Sequence, residues 1–218
     1  MADPEFQIYE CSNPECRFRC PNDLTKRKMD LCPLCGHAFL PQGEPFVNQK
    51  RLLGQTQAIS KPVTQIEVLL DNLRSILNVG SIFRTADGAA VRHIYCCGTT
   101  PTPKHPKIAK TSLGAEGFTP WSYYPNALNL VQEKLQQGFE VISLESTENS
   151  KSLFNFQLIN PESLILLVVG NEVSGIDPAI LNLSQNILSI PMLGHKSSLN
   201  VAVAFGIAVY TLQNHLLY

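Results

Sequence analysis

The stretch Ile190-Pro191-Met192-Leu193-Gly194-His195-Lys196-Ser197-Ser198-Leu199-Asn200-Val201 decides how this chain is read. Behind it, from Val201 to Leu217, come almost only apolar or small residues, which predicts a helix too apolar to face water all round. Before it, residues 187–190 are a short run rich in β-branched side chains and read as a strand. A strand feeding a turn that contains Gly and Ser, then a buried helix, gathers backbone N–H groups and the Ser198 and Asn200 side chains at one point. The simpler reading of Ser198 or Asn200 taken alone is a plain helix N-cap.

Two further segments repeat the pattern. Leu164-Ile165-Leu166-Leu167-Val168-Val169 is a continuous apolar run, as expected of a central parallel strand covered on both faces. It ends in Gly170-Asn171-Glu172-Val173-Ser174-Gly175-Ile176, a turn with a carboxylate between two glycines. Further upstream, Val68-Leu69-Leu70-Asp71 leads through a loop to a helix headed by Asn78, with Arg84 less than two turns on. Polar residues at the carboxyl ends of several strands are where open α/β sheets place their ligands.

These motifs resemble those of the SpoU (TrmH) group of SPOUT RNA ribose methyltransferases. The first is Asn78-Val79-Gly80 with Arg84-Thr85-Ala86; the second is Gly170-Asn171-Glu172 with Gly175. The third is Ile190-Pro191-Met192 with Gly194 and Ser198-Leu199-Asn200-Val201. All three occur in order across roughly the last 150 residues. Coarse patterning agrees with an α/β sheet covered on both sides. Strands are expected at 66–70, 93–97, 141–144, 164–169 and 187–190. Helices are expected from Val79, at 127–137 (ended by Gly138), after Asp177-Pro178, and at the end of the chain.

The resemblance implies a mostly parallel SPOUT sheet with helices on both faces and a C-terminal trefoil knot, a feature general folding rules would not suggest. It implies S-adenosylmethionine held around Gly170, Asn171, Ile190, Met192, Gly194 and Leu199, and an RNA 2′-O-methyl product. Catalytic roles then fall on Arg84, Asn78, Glu172, Ser198 and Asn200. Ser198 and Asn200 would fix the substrate, while Asn78 and Glu172 brace the loops. In the family Arg84 is held to activate the ribose hydroxyl. A guanidinium is charged at any ordinary pH, so gripping the target phosphate is the chemically easier task, and both roles are carried forward. No GxGxxG occurs, which removes the ordinary dinucleotide-binding reading. Resemblance also implies a homodimer through the first and last helices, in keeping with the apolar final helix. Lys110-Thr111-Ser112-Leu113-Gly114-Ala115-Glu116 and Trp121 resemble a branch that includes tRNA guanosine ribose methyltransferases, favouring tRNA slightly over rRNA. The competing readings are a non-catalytic RNA-binding protein of the same fold and a methyltransferase acting on a base or a protein.

Composition sets limits. A chain of 218 residues has room for one ordinary domain and a small module. No uninterrupted apolar stretch is long enough to span a bilayer and no signal-peptide pattern opens the chain, so a soluble, cytoplasmic protein without membrane contact is expected. Net charge is −1, but its distribution is uneven: residues 61–120 carry seven basic and four acidic groups, and residues 121–218 three and seven. Arg92, His93, Lys104, His105, Lys107 and Lys110 cluster around a proline-rich loop suited to a phosphate backbone, although a solvated loop is the plainer reading. Lys26-Arg27-Lys28 is a second candidate contact.

Five of the seven cysteines fall in the first 35 residues. Cys11 and Cys16 form a loose pair, and Cys32-Pro33-Leu34-Cys35-Gly36 a tight one, the two-turn spacing of a ribbon-type structural zinc site. Cys20 in place of Cys11 is the main alternative, with His37 a more distant one. A disulfide framework fits poorly with an intracellular enzyme. Cys96 and Cys97, adjacent on an expected strand, point to opposite faces and read as core. The expected organisation is therefore a zinc-ribbon-like module at 1–45, a linker at 46–62, and a SpoU-type methyltransferase domain at 63–218.

Overall fold

The computed structural model describes residues 5–26, 29–47, 65–158, 160 and 162–217, and the chain divides into two compact units, Met1–Ser60 and Lys61–Tyr218. Most of the expected linker, and Arg27 and Lys28 of the second basic cluster, lie outside the described residues.

The first unit is a three-stranded antiparallel sheet of β1 (Glu5–Cys11), β2 (Arg19–Asp23) and β3 (Phe39–Val47), in the order β2-β1-β3. Its apolar core is Tyr9, Cys11, Cys32 and Phe39, with Phe18 stacked on Phe39. So small a core cannot offset the conformational entropy of some 40 residues without a further cross-link.

The second unit is built on seven strands. They are β4 (Ile66–Asp71), β5 (His93–Cys97), β6 (Trp121–Tyr124), β7 (Glu140–Leu144), β8 (Lys151–Ser152), β9 (Ile165–Val169) and β10 (Asn186–Ser189). Every pairing in the order β6-β5-β4-β9-β7-β10-β8 is parallel. Between them run α1 (Ile76–Gly88), α2 (Ala109–Ser112), α3 (Ala127–Gln136), α4 (Pro178–Leu183) and α5 (Val201–Leu217).

Strand alternation sorts the core into two layers. Ile66, Val68, Leu70, Cys96, Leu167 and Val169 pack with Phe83 of α1 and Phe205 of α5. Leu69, Cys97, Leu166 and Val168 pack with Leu130 of α3 and Ile180 of α4. The two adjacent cysteines thus do face opposite sides, and burial pushes both thiols up to about 12. Glu67 is the apparent exception in this apolar sheet. It points to the α3 side, where Lys134 Nζ meets it at 2.6 Å and the Tyr95 hydroxyl donates to it at 2.8 Å. A buried charge is tolerated there because it is paired.

Local signals set most boundaries. Asp177 caps α4 by accepting from Ala179 N–H with Pro178 at the first helical position, and Gly138, at φ +83°, follows the end of α3. One boundary moves. Helix α1 begins at Ile76, not at Asn78, because the Ser75 hydroxyl accepts from Asn78 N–H and caps the helix three residues earlier. Strands β6 and β8 were not expected: one is a half-exposed edge segment and the other only two residues long, so neither carries an apolar run.

Because all seven strands run parallel, their carboxyl ends share one edge of the sheet. Strand β9 lies between β4 and β7, so the loops after β4, β9, β7 and β10 emerge beside one another.

Candidate active site

At that edge the loop after β9 folds back on itself. Asn171 N–H donates to Gly175 C=O at 3.1 Å and Gly175 N–H to Asn171 C=O at 3.0 Å. A Cβ on Gly170 would lie 2.5 Å from the Gly175 carbonyl carbon and from Ile176 N, so only glycine permits this crossing. The Asn171 side chain is fully engaged: its Nδ2 donates to Asn72 C=O at 2.6 Å, and its Oδ1 accepts from Val173 and Ser174 N–H. It shapes the loop.

The loop carries Glu172 to the amino end of α1. One carboxylate oxygen, Oε2, accepts from Arg74 N–H at 2.9 Å. The other, Oε1, accepts from Ser75 N–H at 3.1 Å and from Asn78 Nδ2 at 2.9 Å. An anion here also meets the positive end of the helix dipole. Burial acts to raise the Glu172 pKa, but the hydrogen bonds from Arg74, Asn78 and Ser75 outweigh it and hold the carboxyl below 4.5. Asn78 turns its Oδ1 the other way and accepts from Asn200 Nδ2 at 3.0 Å. Asn200 Oδ1 in turn accepts from Ala202 N–H at 2.9 Å. Asn200 is therefore a helix N-cap, the simpler reading, and also a link between motifs.

Around this chain of bonds lies a cavity of about 750 Å³. Asn78, Gly170, Asn171, Glu172, Ile190, Met192, Ser198, Leu199 and Asn200 all line it, brought in from three separate stretches of sequence. The Ser198 hydroxyl reaches it with no hydrogen-bond partner among the described residues. Apolar walls come from Leu144, Val169, Leu188 and Val201. A cavity of this size, with an apolar wall and an equally large share of polar groups, suits a nucleoside-sized ligand.

Two expected residues do not line it. Gly194 is exposed at the tip of the loop after β10, and Arg84 is exposed on α1 about 9 Å of helix rise beyond Asn78. Sequence reasoning in turn missed Arg74, Ser75 and Glu145, which line the cavity. Glu145 directly follows β7, and its Oε2 accepts from Ile176 N–H at 3.1 Å. Its position just past an apolar strand was the available signal.

In the first unit, the Sγ atoms of Cys11, Cys16, Cys32 and Cys35 lie within 4.8 Å of one another. Cys20 is not in the group, and the His37 ring faces the Cys35 carbonyl. The separations of 3.3 Å for Cys11–Cys35 and 3.9 Å for Cys16–Cys32 bracket the spacing of about 3.8 Å that tetrahedral thiolates at about 2.3 Å from an ion would have. The cluster could bind a metal.

A parallel, doubly covered sheet with a nucleoside-sized cavity at its carboxyl edge defines a class of α/β enzyme. Comparison then places the chain within that class: residues 65–210 match the model of the SpoU rRNA Methylase family, and the chain belongs to that family. It is 32% identical over 174 residues to the tRNA (guanosine(18)-2′-O)-methyltransferase of Aquifex aeolicus, covering 78% of this chain and 79% of that protein. It spans about half (53%) of an uncharacterized tRNA/rRNA methyltransferase of Synechocystis, at 26% identity over 68% of this chain. Among solved structures, the A. aeolicus TrmH/SpoU tRNA modifying enzyme superposes with a TM-score of 0.64 at 26% identity, over 71% of this chain and 77% of that one. The AdoMet-bound rRNA methyltransferase of Sinorhizobium meliloti gives 0.64 at 27%, over 70% and 57%. The chain is an RNA methyltransferase of the SpoU type.

The Glu172 bonds have a consequence for stability. A carboxyl whose pKa is lowered on folding stabilises the fold above its unfolded pKa and loses that contribution as pH falls through the folded value. Melting temperature measured across the range below about pH 4.5 is expected to fall in the wild type, with a shallower fall in Glu172→Gln.

Proposed function

We propose that this protein transfers a methyl group from S-adenosylmethionine to a ribose 2′-hydroxyl in structured RNA, with tRNA favoured over rRNA, acting in the cytoplasm as a homodimer. The observation that carries the reading is the Glu172–Asn78–Asn200 chain of hydrogen bonds at the cavity, which joins all three motifs. Names of the related proteins support the ribose and tRNA assignments, since the A. aeolicus relative is a guanosine 2′-O-methyltransferase of tRNA. The trefoil knot is proposed from membership of the family. No helix among the described residues is long and apolar enough to cross a membrane.

The cavity fits the cofactor. Gly170, Ile190, Met192 and Leu199 would hold its nucleoside, and Asn171 would act by fixing the loop. When bound, the cofactor supplies a methyl carbon on a positively charged sulfur, open to attack by an oxygen. The work left to the protein is placement of the ribose oxygen about 3–3.5 Å from that carbon and in line. Ser198, the motif serine, lines the cavity with no side-chain hydrogen-bond partner among the described residues and is assigned to touch the sugar. Asn78, Glu172 and Asn200 are positioning residues, because their polar atoms already bond one another and the two helix ends.

Arg84 completes the site from a second subunit. It shares a face of α1 with the exposed Leu77, seven residues before it, and α5 exposes Val203 and Tyr210 at the same spacing. Pairing of two copies through these helices would cover that apolar surface and bring one subunit's Arg84 toward the other's cavity. There it would grip the target phosphate or stabilise the oxygen as it loses its proton.

The four-cysteine cluster is assigned to a structural zinc ion, which would supply the cross-link that the small N-terminal core needs. Incubation with methyl-labelled cofactor and total RNA is expected to yield alkali-resistant dinucleotides, the mark of a blocked 2′-oxygen. Arg84→Ala is expected to lower the yield at least about 100-fold, as loss of a charge-stabilising group does in comparable sites. Cofactor binding without any such product would contradict the proposal. Metal analysis is expected to find about one zinc per chain, lost in Cys32→Ser together with the fold of the first unit.

A further inference from the structure

Between β5 and β6 the chain makes a series of short turns that the site does not use. His105 N–H donates to Thr102 C=O, Ile108 to His105, Lys110 to Lys107 and Thr111 to Ile108, each bond spanning three residues. The last of these bonds run into α2 (Ala109–Ser112), so the turns lead directly into that helix. The burial pattern follows that period. Thr102, His105, Ile108 and Thr111 face inward, half-buried or fully buried, whereas Lys104, Lys107 and Lys110 are all exposed. Three ammonium groups thus form an outward row, and none has an ion pair among the described residues.

This row is fixed to α1 close to the site. Thr111 Oγ1 donates to Leu77 C=O at 3.1 Å, and a Cβ on Gly80 would come within 2.7 Å of Ile108 C=O. Glycine at position 80 therefore lets the turns sit directly on the helix. Leu77, Gly80 and Arg84 follow one another along a single face of α1, so the segment that carries the lysines docks, through Ile108 and Thr111, one helical turn from Arg84. Leu77 also adjoins Asn78, whose side chain lines the cavity.

Acidic groups near the row are fewer than the lysines on its outer face. Glu67 and Asp71 are buried in the sheet, Asp87 is half-buried, and Glu116, kept ionised by the Ser112 hydroxyl that donates to it, is half-buried beyond the row. Three like charges on successive turns of one segment suit a repeated anion rather than a single one. Phe118, 76% exposed just beyond the turns, adds a flat surface of the kind on which bases stack.

We infer that Lys104, Lys107 and Lys110 form a docking row for the phosphodiester backbone of the RNA flanking the methylated nucleotide. The inference rests on the RNA substrate proposed above and adds the surface that receives it. Such contacts position the nucleic acid without reading its sequence.

The test is the salt dependence of binding to bulk tRNA by the full-length protein. Each lost phosphate contact reduces the slope of log K against log salt by about 0.9, so the triple Lys→Ala variant is expected to lower it by about 2.7. Lys107→Ala alone is expected to lower it by about 0.9, and the triple Lys→Arg variant to keep the wild-type slope. With methylation as readout, the triple Lys→Ala variant is expected to raise KM for tRNA and leave kcat at saturating tRNA unchanged. An unaltered slope in both Lys→Ala variants overturns the inference, as does displacement of tRNA by polyglutamate at equal charge concentration. A wild-type protein that binds tRNA with the expected slope but transfers no methyl group leaves the docking row standing and overturns the enzymatic proposal instead.

Discussion

The organisation of the cavity depends on one carboxylate. Glu172 sits at the amino end of α1 and accepts two backbone N–H groups and one side-chain amide. Those backbone donors have no partner within the helix, so the carboxylate satisfies them and is itself stabilised by the dipole. Through Asn78 and Asn200 the same interaction reaches the start of α5. Three loops that are far apart in sequence are held in one arrangement by four side-chain hydrogen bonds. Each of the two asparagines uses both its donor and its acceptor, whereas Ser197 and Ser198, which also line the cavity, have no side-chain hydrogen-bond partner among the described residues.

Glycines make that arrangement possible. The loop after β9 crosses itself so closely at Gly170 that a methyl group would collide with backbone. At Gly175 φ is +75°, and a Cβ would meet the Glu145 carboxylate at 2.6 Å. Glu145 itself holds the Ile176 N–H, so the end of β7 supports the loop from below. The glycines of the second motif therefore act through packing, and Glu172 acts through charge and hydrogen bonding.

Much of this was legible in the sequence for physical reasons. Central strands are apolar runs because helices cover both faces, and Asp177-Pro178 and Gly138 punctuate helices by their own chemistry. The family resemblance pointed to Asn78, Glu172 and Asn200, and the structure brings them together: an anion and two amides link two helix ends. Other features were hidden. Ser75 looked like a loop residue, yet its hydroxyl caps α1. Glu145 and the period of three across 102–111 acquire meaning only once tertiary packing shows what each side chain faces. Arg84, conspicuous in the motif, does not line the cavity, because six residues of helix carry it about 9 Å beyond Asn78, a displacement that motif membership alone does not reveal.

The most direct measurement of this account is calorimetric binding of S-adenosylhomocysteine to Glu172→Gln. The amide can present only one oxygen, so its NH2 group must face either Arg74 N–H or Ser75 N–H. The account predicts a folded protein whose affinity for the ligand falls at least about tenfold, about 1.4 kcal/mol, because the loops are no longer held in register. Affinity equal to that of the wild type would show that the carboxylate does not organise the cavity, and would contradict the account.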